Sequence, residues 1–431
     1  MLTQLFNIKP AVFKILFFLL WFFFFIGCIP TTKLVAPHSE STSSRPQSRL
    51  PGSVIQTAPG SETPASLSQA APSEGINQTT AWIGKSKSWA RSTPEEAGMD
   101  SETLAEMLET IERERYNIDS VLVIRDGVLV LEAYKHPFIK GYKHNLFSIT
   151  KSVLSTLVGI AIEQGYIENL DQPVLDYFPD RNVEHMDKRK ADMKLQHLIT
   201  MTTGLQCRDS YLYGNSGLRE MSYSDDWVQF VLDLPMESRP GEKFEYCNGA
   251  SLLLSAVLQR AVGRTTAEYA REVLFEPLGI EEFEWDETPK GITFGWSKLH
   301  LKPADIGRIG YLFLNKGKWG SEQVVPQQWV EVSTRKYITG TLQDGYGYGW
   351  WIASPEMHMG LGYSGQYLIL HPEQRLVVVF TSSLEDQDFY LPQRLTESYI
   401  LPATQNSGGT LPGNPKGNKR LQSAIGELAA P

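Results

Sequence analysis

Phe147-Ser148-Ile149-Thr150-Lys151 runs directly into an apolar series, Val153, Leu154, Leu157, Val158, Ile160 and Ala161, that recurs at the spacing of a buried helix and is punctuated by Gly165. Ser148 therefore sits at a helix entrance. Lys151, three positions on, lies one turn later on the same face, which brings its amine back toward the Ser148 hydroxyl. A serine hydroxyl is a weak nucleophile until a neighbouring base takes its proton. An amine serves as that base once burial has lowered its pKa toward neutrality. The unpaired N–H groups and positive dipole end of the helix start also favour a developing oxyanion. The spacing alone is weak, because a helix cap with a solvated lysine looks the same. Ser333-Thr334-Arg335-Lys336 repeats it with no long apolar helix behind it.

Around this stretch the chain falls into parts. Lys9 and Lys14 precede an uncharged run rich in Phe and Leu that ends in Phe25-Ile26-Gly27-Cys28, so residues 1–28 read as an export signal. The run resembles the lipobox of bacterial lipoproteins, in which Cys28 would be lipidated, with Phe25 where leucine is usual. An uncleaved anchor and ordinary secretion stay open beside it. Each exports the rest of the chain, and the first two hold it in the bacterial cell envelope, on the periplasmic face and attached to a membrane. Residues 29–90 are rich in Ser, Thr, Pro and Ala with few large apolar side chains, and read as a disordered linker. Residues 403–431, rich in Gly, Pro and Asn, read as a disordered tail. What lies between, residues 91–402, is long enough to bury a large core.

Within it, residues 101–113 carry Leu104, Met107, Leu108 and Ile111 on one helical face, with Asp100 or Ser101 as cap. Residues 120–124 and 128–134 alternate around Asp126-Gly127 as a hairpin. A predominantly helical stretch follows, then strands at residues 347–352, 367–370 and 376–382 and a final helix at 392–400. The pattern implies an α+β fold: one antiparallel sheet completed by both ends of the chain, flanked by N- and C-terminal helices and interrupted by a large helical lobe.

Composition excludes several function classes. The net charge of −9 and the absence of a Lys/Arg cluster argue against nucleic acid. The eight histidines are scattered without metal-ligand spacing. His197 reads as a hydrogen-bonded structural residue. There is no phosphate loop, so no cofactor is expected. Gly362-Tyr363-Ser364-Gly365 lacks the last glycine and the strand-helix context of a nucleophile elbow.

Tyr246-Cys247-Asn248 precedes a second apolar helical series; if extended, it aims Tyr246 and Asn248 to one face and Cys247 to the other. Tyr213-Gly214-Asn215 has the same spacing without a helix behind it. Ser-x-x-Lys followed about a hundred residues later by Tyr-x-Asn and then by a late glycine turn resembles the class C β-lactamase and DD-peptidase superfamily, particularly its esterase-like members. Residues 166–179, Leu198-Ile199-Thr200-Met201-Thr202-Thr203-Gly204-Leu205 and Tyr346-Gly347-Tyr348-Gly349-Trp350 also match, so the resemblance spans roughly residues 92–402. It implies a serine hydrolase with Ser148 as acylated nucleophile, Lys151 as general base, Tyr246 as proton shuttle and Asn248 orienting the acyl group. It also implies a third motif at Tyr363-Ser364-Gly365 on a strand edge, with the backbone N–H groups of Ser148 and Gln366 as oxyanion hole. Tyr363 stands where lactamases commonly carry a lysine that holds the substrate carboxylate. The reading favoured is hydrolysis of small esters or amides. A cell-wall D-peptide hydrolase or β-lactamase is the alternative, and a non-catalytic envelope protein the third. Cys207 and Cys247 either pair in an oxidising compartment, bracing the pocket wall, or remain separate buried thiols.

Overall fold

The computed structural model describes residues 88–209, 216–404 and 409–431. The export run with Cys28, most of the linker and Tyr213-Gly214-Asn215 lie outside them. Seven strands, β1 (Ile118–Arg125), β2 (Val128–Tyr134), β3 (Gly345–Tyr346), β4 (Trp351–Ser354), β5 (Met357–Gly362), β6 (Gln366–His371) and β7 (Leu376–Ser382), form one antiparallel sheet in the order β2-β1-β7-β6-β5-β4-β3. The last strand thus pairs with the first, Val121 opposite Phe380 and Val123 opposite Val378. Every residue of β1 and β7 is buried, which is why both strands read as nearly unbroken apolar runs. Residues 135–344, between β2 and β3, form the inserted lobe, and the fold is the α+β arrangement expected.

Five helices carry the argument: α1 (Ser101–Arg113), α2 (Thr150–Glu163), α3 (Asn248–Val262), α4 (Pro303–Leu314) and α5 (Pro415–Ala429). Asp100 caps α1 by accepting from the Thr103 N–H. The β1–β2 hairpin turns at Asp126-Gly127, both in the left-handed region. The helix α4 lies close on the sheet because Gly307 and Gly310 bring its backbone against Ile124, Val377 and Leu368. All but the last two residues of α2 are buried, so this helix runs through the interior and holds its first turn rigidly.

Several boundaries differ from the sequence reading. The linker ends before residue 89: Trp89 is 8% exposed, donates its indole N–H to Ala304 O and packs edge-on against Tyr311 and Trp319. The tail is not disordered over its described part. Its helix α5 packs on α1 and buries Leu421, Ala424 and Leu428, which recur at helical spacing behind an Asn414 cap and Pro415 at the first position. The helix at 391–400 is therefore not the final one. Residues 347–352 are not one strand either. A turn at 347–350, with Gly349 in the left-handed region, separates β3 from β4. The strand β5 escaped the sequence reading because glycines at 360 and 362 weaken its apolar alternation.

Candidate active site

Ser148 stands in a short 3-10 turn, Phe147–Ile149, that leads straight into α2. Phe147 holds a positive φ of 45°, and its N–H donates to Asn145 Oδ1, which also accepts from the Lys298 N–H. One carboxamide thus ties the nucleophile turn to the opposite wall. Lys151, one turn into the helix, is 4% exposed, and its Nζ donates to Ser148 Oγ at 3.0 Å, Asn248 Oδ1 at 2.8 Å and Trp296 O at 3.3 Å. Three neutral acceptors surround an amine that water does not reach. Burial lowers its pKa from 10.5 to about 7, against the attraction of the Asp209 carboxylate.

Tyr246 and Asn248 enter from the start of α3. The Tyr246 phenol is in hydrogen-bond contact with Ser148, its ring lies 4.6 Å from the Lys151 ammonium, and it stacks on Trp351 at 5.8 Å between centroids. Burial pushes the phenol well above its usual pKa, so it is protonated when the lysine is neutral. Cys247 faces away from the pocket and is bonded to Cys207, which fixes residues 207–209 beside the start of α3. Asp209, two residues beyond that bond, accepts from the Asn248 N–H at 2.6 Å.

Ser148, Tyr246, Asn248 and Asp209 line one open cavity of about 550 Å³ with walls of Trp227, Phe294, Trp296, Trp351 and Phe389, and Lys151 lies buried behind them. Its concave, aromatic surface suits an apolar group, and its reactive cluster lies on the wall at Ser148. The third motif is placed differently from the sequence reading. Tyr363–Gly365 is a tight turn between β5 and β6 rather than a strand edge, with Ser364 and Gly365 at positive φ. Ser364, Gly365 and Gln366 do not line the cavity; Gly362 and Tyr363 do. The Gln366 side-chain amide donates to Ser382 O at 2.6 Å. Gly362 passes so close to the Ser148 turn that a Cβ there would lie 2.4 Å from Leu146 O, and the Tyr363 ring meets Phe147 edge-on. Residues 361–363 line the cavity beside the Ser148 turn.

Sequence reasoning missed Trp296, whose carbonyl meets Lys151, and Asp209. The one signal for Asp209 was its place two residues after Cys207, whose bond to Cys247 would brace the pocket wall. His197 accepts from the Lys194 N–H through Nδ1, a structural contact as read.

Residues 108–397 match the family model described as Beta-lactamase. Over 324 residues the chain is 26% identical to 6-aminohexanoate-dimer hydrolase of Paenarthrobacter ureafaciens, an alignment covering 69% of this chain and 81% of that protein. Among solved structures, EstCE1, a hydrolase with promiscuous acyltransferase activity, matches with a TM-score of 0.59 and 15% identity over 69% of this chain and 99% of its own. Unliganded simvastatin synthase (LovD) of Aspergillus terreus matches with a TM-score of 0.56 and 17% identity, over 70% and 98%. At these identities the two structures establish the fold.

Proposed function

Since this chain belongs to the beta-lactamase family and is a serine hydrolase, we propose that it cleaves small esters or amides through an acyl-enzyme on Ser148. In the first step the neutral Lys151 amine takes the Ser148 proton as Oγ attacks the carbonyl carbon, giving a tetrahedral oxyanion. The Ser148 N–H, at the entrance to α2, and the backbone of residues 361–363 beside it are the groups placed to receive that charge. Tyr246, protonated and in contact with Ser148, passes a proton to the departing oxygen or nitrogen as the bond to carbon breaks. Water then attacks the ester on Ser148, its proton going back through the same pair, and Oγ leaves as the hydroxyl.

The observation that carries this reading is the 3.0 Å contact between Ser148 Oγ and a lysine buried among neutral acceptors. The aromatic walls support an apolar acyl group. The absence of a lysine at position 363, where Tyr363 is exposed, supports esters and amides over β-lactams. One feature favours the second reading, a D-peptide or β-lactam substrate: Lys298 lines the cavity, and a carboxylate is what it would meet. Turnover of acyl p-nitrophenyl esters, nitrocefin and a D-Ala-D-Ala peptide by the wild type and Ser148→Ala separates the two. Ester turnover lost in Ser148→Ala, with nitrocefin untouched, is the expected outcome. Nitrocefin or peptide turnover that exceeds ester turnover would transfer the assignment, and ester turnover surviving in Ser148→Ala would remove it.

Export is part of the same proposal. The disulfide between Cys207 and Cys247 belongs in an oxidising compartment, which fits an exported domain tethered through Cys28. Metabolic labelling with a palmitate analogue should mark the wild type and not Cys28→Ala; equal labelling of both rejects the lipid anchor.

A further inference from the structure

We propose that Asp209 is a positioning residue of this site, whose buried carboxylate turns the Asn248 carboxamide so that Oδ1 faces Lys151. The inference rests on the roles given above to Ser148 and Lys151.

A carboxamide has one accepting and one donating end. The Asn248 oxygen is taken by Lys151 Nζ at 2.8 Å. Its amino end must then face elsewhere, and it is directed to the Asp209 carboxylate, which also accepts the Asn248 backbone N–H at 2.6 Å. A third donor, the Leu218 N–H, comes from the first turn of the helix Ser216–Tyr223. Asp209 is 7% exposed and so is held at the N-terminal ends of two helices with its acceptors engaged. There is no slack around it. A Cβ at Gly217 would lie 2.8 Å from Asp209 Oδ1, and Cys207, two residues earlier, is bonded to Cys247. The carboxylate, the carboxamide and the amine thus form a chain whose far end is the base.

This arrangement does more than cap a helix. Burial drives the Lys151 proton off, and the Asp209 carboxyl, itself pushed up to about 6 by burial, draws it back once it is ionised. The other titratable groups in this field are Tyr246 on the α3 side, Tyr346 of β3 behind it, Glu245 beside Tyr246 and Arg208 next in sequence. Among these groups, Asp209 is the one whose negative charge raises the Lys151 pKa against its burial. Removing that charge lowers the affinity of Lys151 for its proton, and a helix cap alone would have no such effect.

The test is the pH profile of kcat/KM for p-nitrophenyl ester cleavage from about pH 5 to 9, measured on the full chain of the wild type, Asp209→Asn and Ser148→Ala. Asp209→Asn keeps one acceptor for the Asn248 N–H but places a donor where the carboxylate accepted. The midpoint of its rising limb is expected to fall by about one pH unit, and its plateau by about tenfold or more. If Asp209→Asn does not accumulate as folded protein, Asp209→Ser gives the same readout. A neutral variant with an unmoved midpoint, whatever its plateau, overturns the proposal and leaves Ser148 in place. Wild-type turnover no greater than that of Ser148→Ala would instead fail the hydrolase reading itself.

Discussion

Lys151 is the residue on which the proposed mechanism turns, because it is useful there only while it is both buried and neutral. In that mechanism the neutral amine is the base, and burial lowers its pKa to about 7. Ester cleavage should therefore rise as pH climbs through about 7 and level off above it, since the neutral fraction grows with pH. Lys151→Met, of similar length and with no basic nitrogen, should lower kcat/KM by about 10²- to 10⁴-fold at the plateau. A profile flat across that range, or a Lys151→Met variant of undiminished activity, would remove the amine from its role. At this scale much was legible. Ser148, Lys151, Tyr246 and Asn248 could be singled out because each sits at the mouth of an apolar helix, where sequence spacing translates directly into geometry. Asp209 and the Trp296 carbonyl were not, because both reach Lys151 only through tertiary packing across 58 and 145 residues of chain.

The strand β5 and the disulfide decide whether those side chains meet. Two glycines let β5 slide against the nucleophile turn: Gly360 beside Ile149 and Ser152, Gly362 beside Leu146 O. Gly362→Ala must push that turn away. It should cut ester turnover by about tenfold or more, since small displacements of reacting groups are costly, with little change in Tm. Unchanged turnover would mean that the wall beside the Ser148 turn is not held by this contact. The glycines that make the approach possible are also what hid the strand, while Tyr363–Gly365 was taken for a strand edge because its turn residues sit between two apolar runs. The bond between Cys207 and Cys247 closes a loop of 40 residues. The double variant Cys207→Ser/Cys247→Ser should lose about 2 to 4 kcal/mol in denaturant unfolding. Wild-type stability in that variant would reduce the bond to an ornament of the fold.

Both ends of the chain build the sheet, and the described residues past 408 extend this logic to a helix. Packed along α1, α5 buries Leu421 and Leu428, and the Leu428 carbonyl accepts from the His136 N–H just beyond β2. Its ion pair, Arg420 with Glu109, is largely exposed and contributes little. Ending the chain after Thr404 should destabilise the domain by roughly 3 to 6 kcal/mol, the burial of two leucines at about 1.5 to 3 each, lowering Tm while Ser148 still reacts. An unchanged Tm would show that α5 is dispensable. Composition hid this helix, since Gly, Pro and Asn surround it, yet Asn414-Pro415 and the spacing of Leu421, Ala424 and Leu428 marked it locally. The broad plan was readable because β1 and β7 are buried on both faces and so announce themselves as apolar runs at opposite ends of one domain. In the proposed mechanism all of it serves to hold one activated serine, and mass analysis after exposure to a fluorophosphonate checks that at its centre. The account predicts a single adduct on the peptide carrying Ser148, absent from Ser148→Ala and greatly slowed in Lys151→Met; an adduct on another residue, or one that forms equally fast in all three proteins, would contradict it.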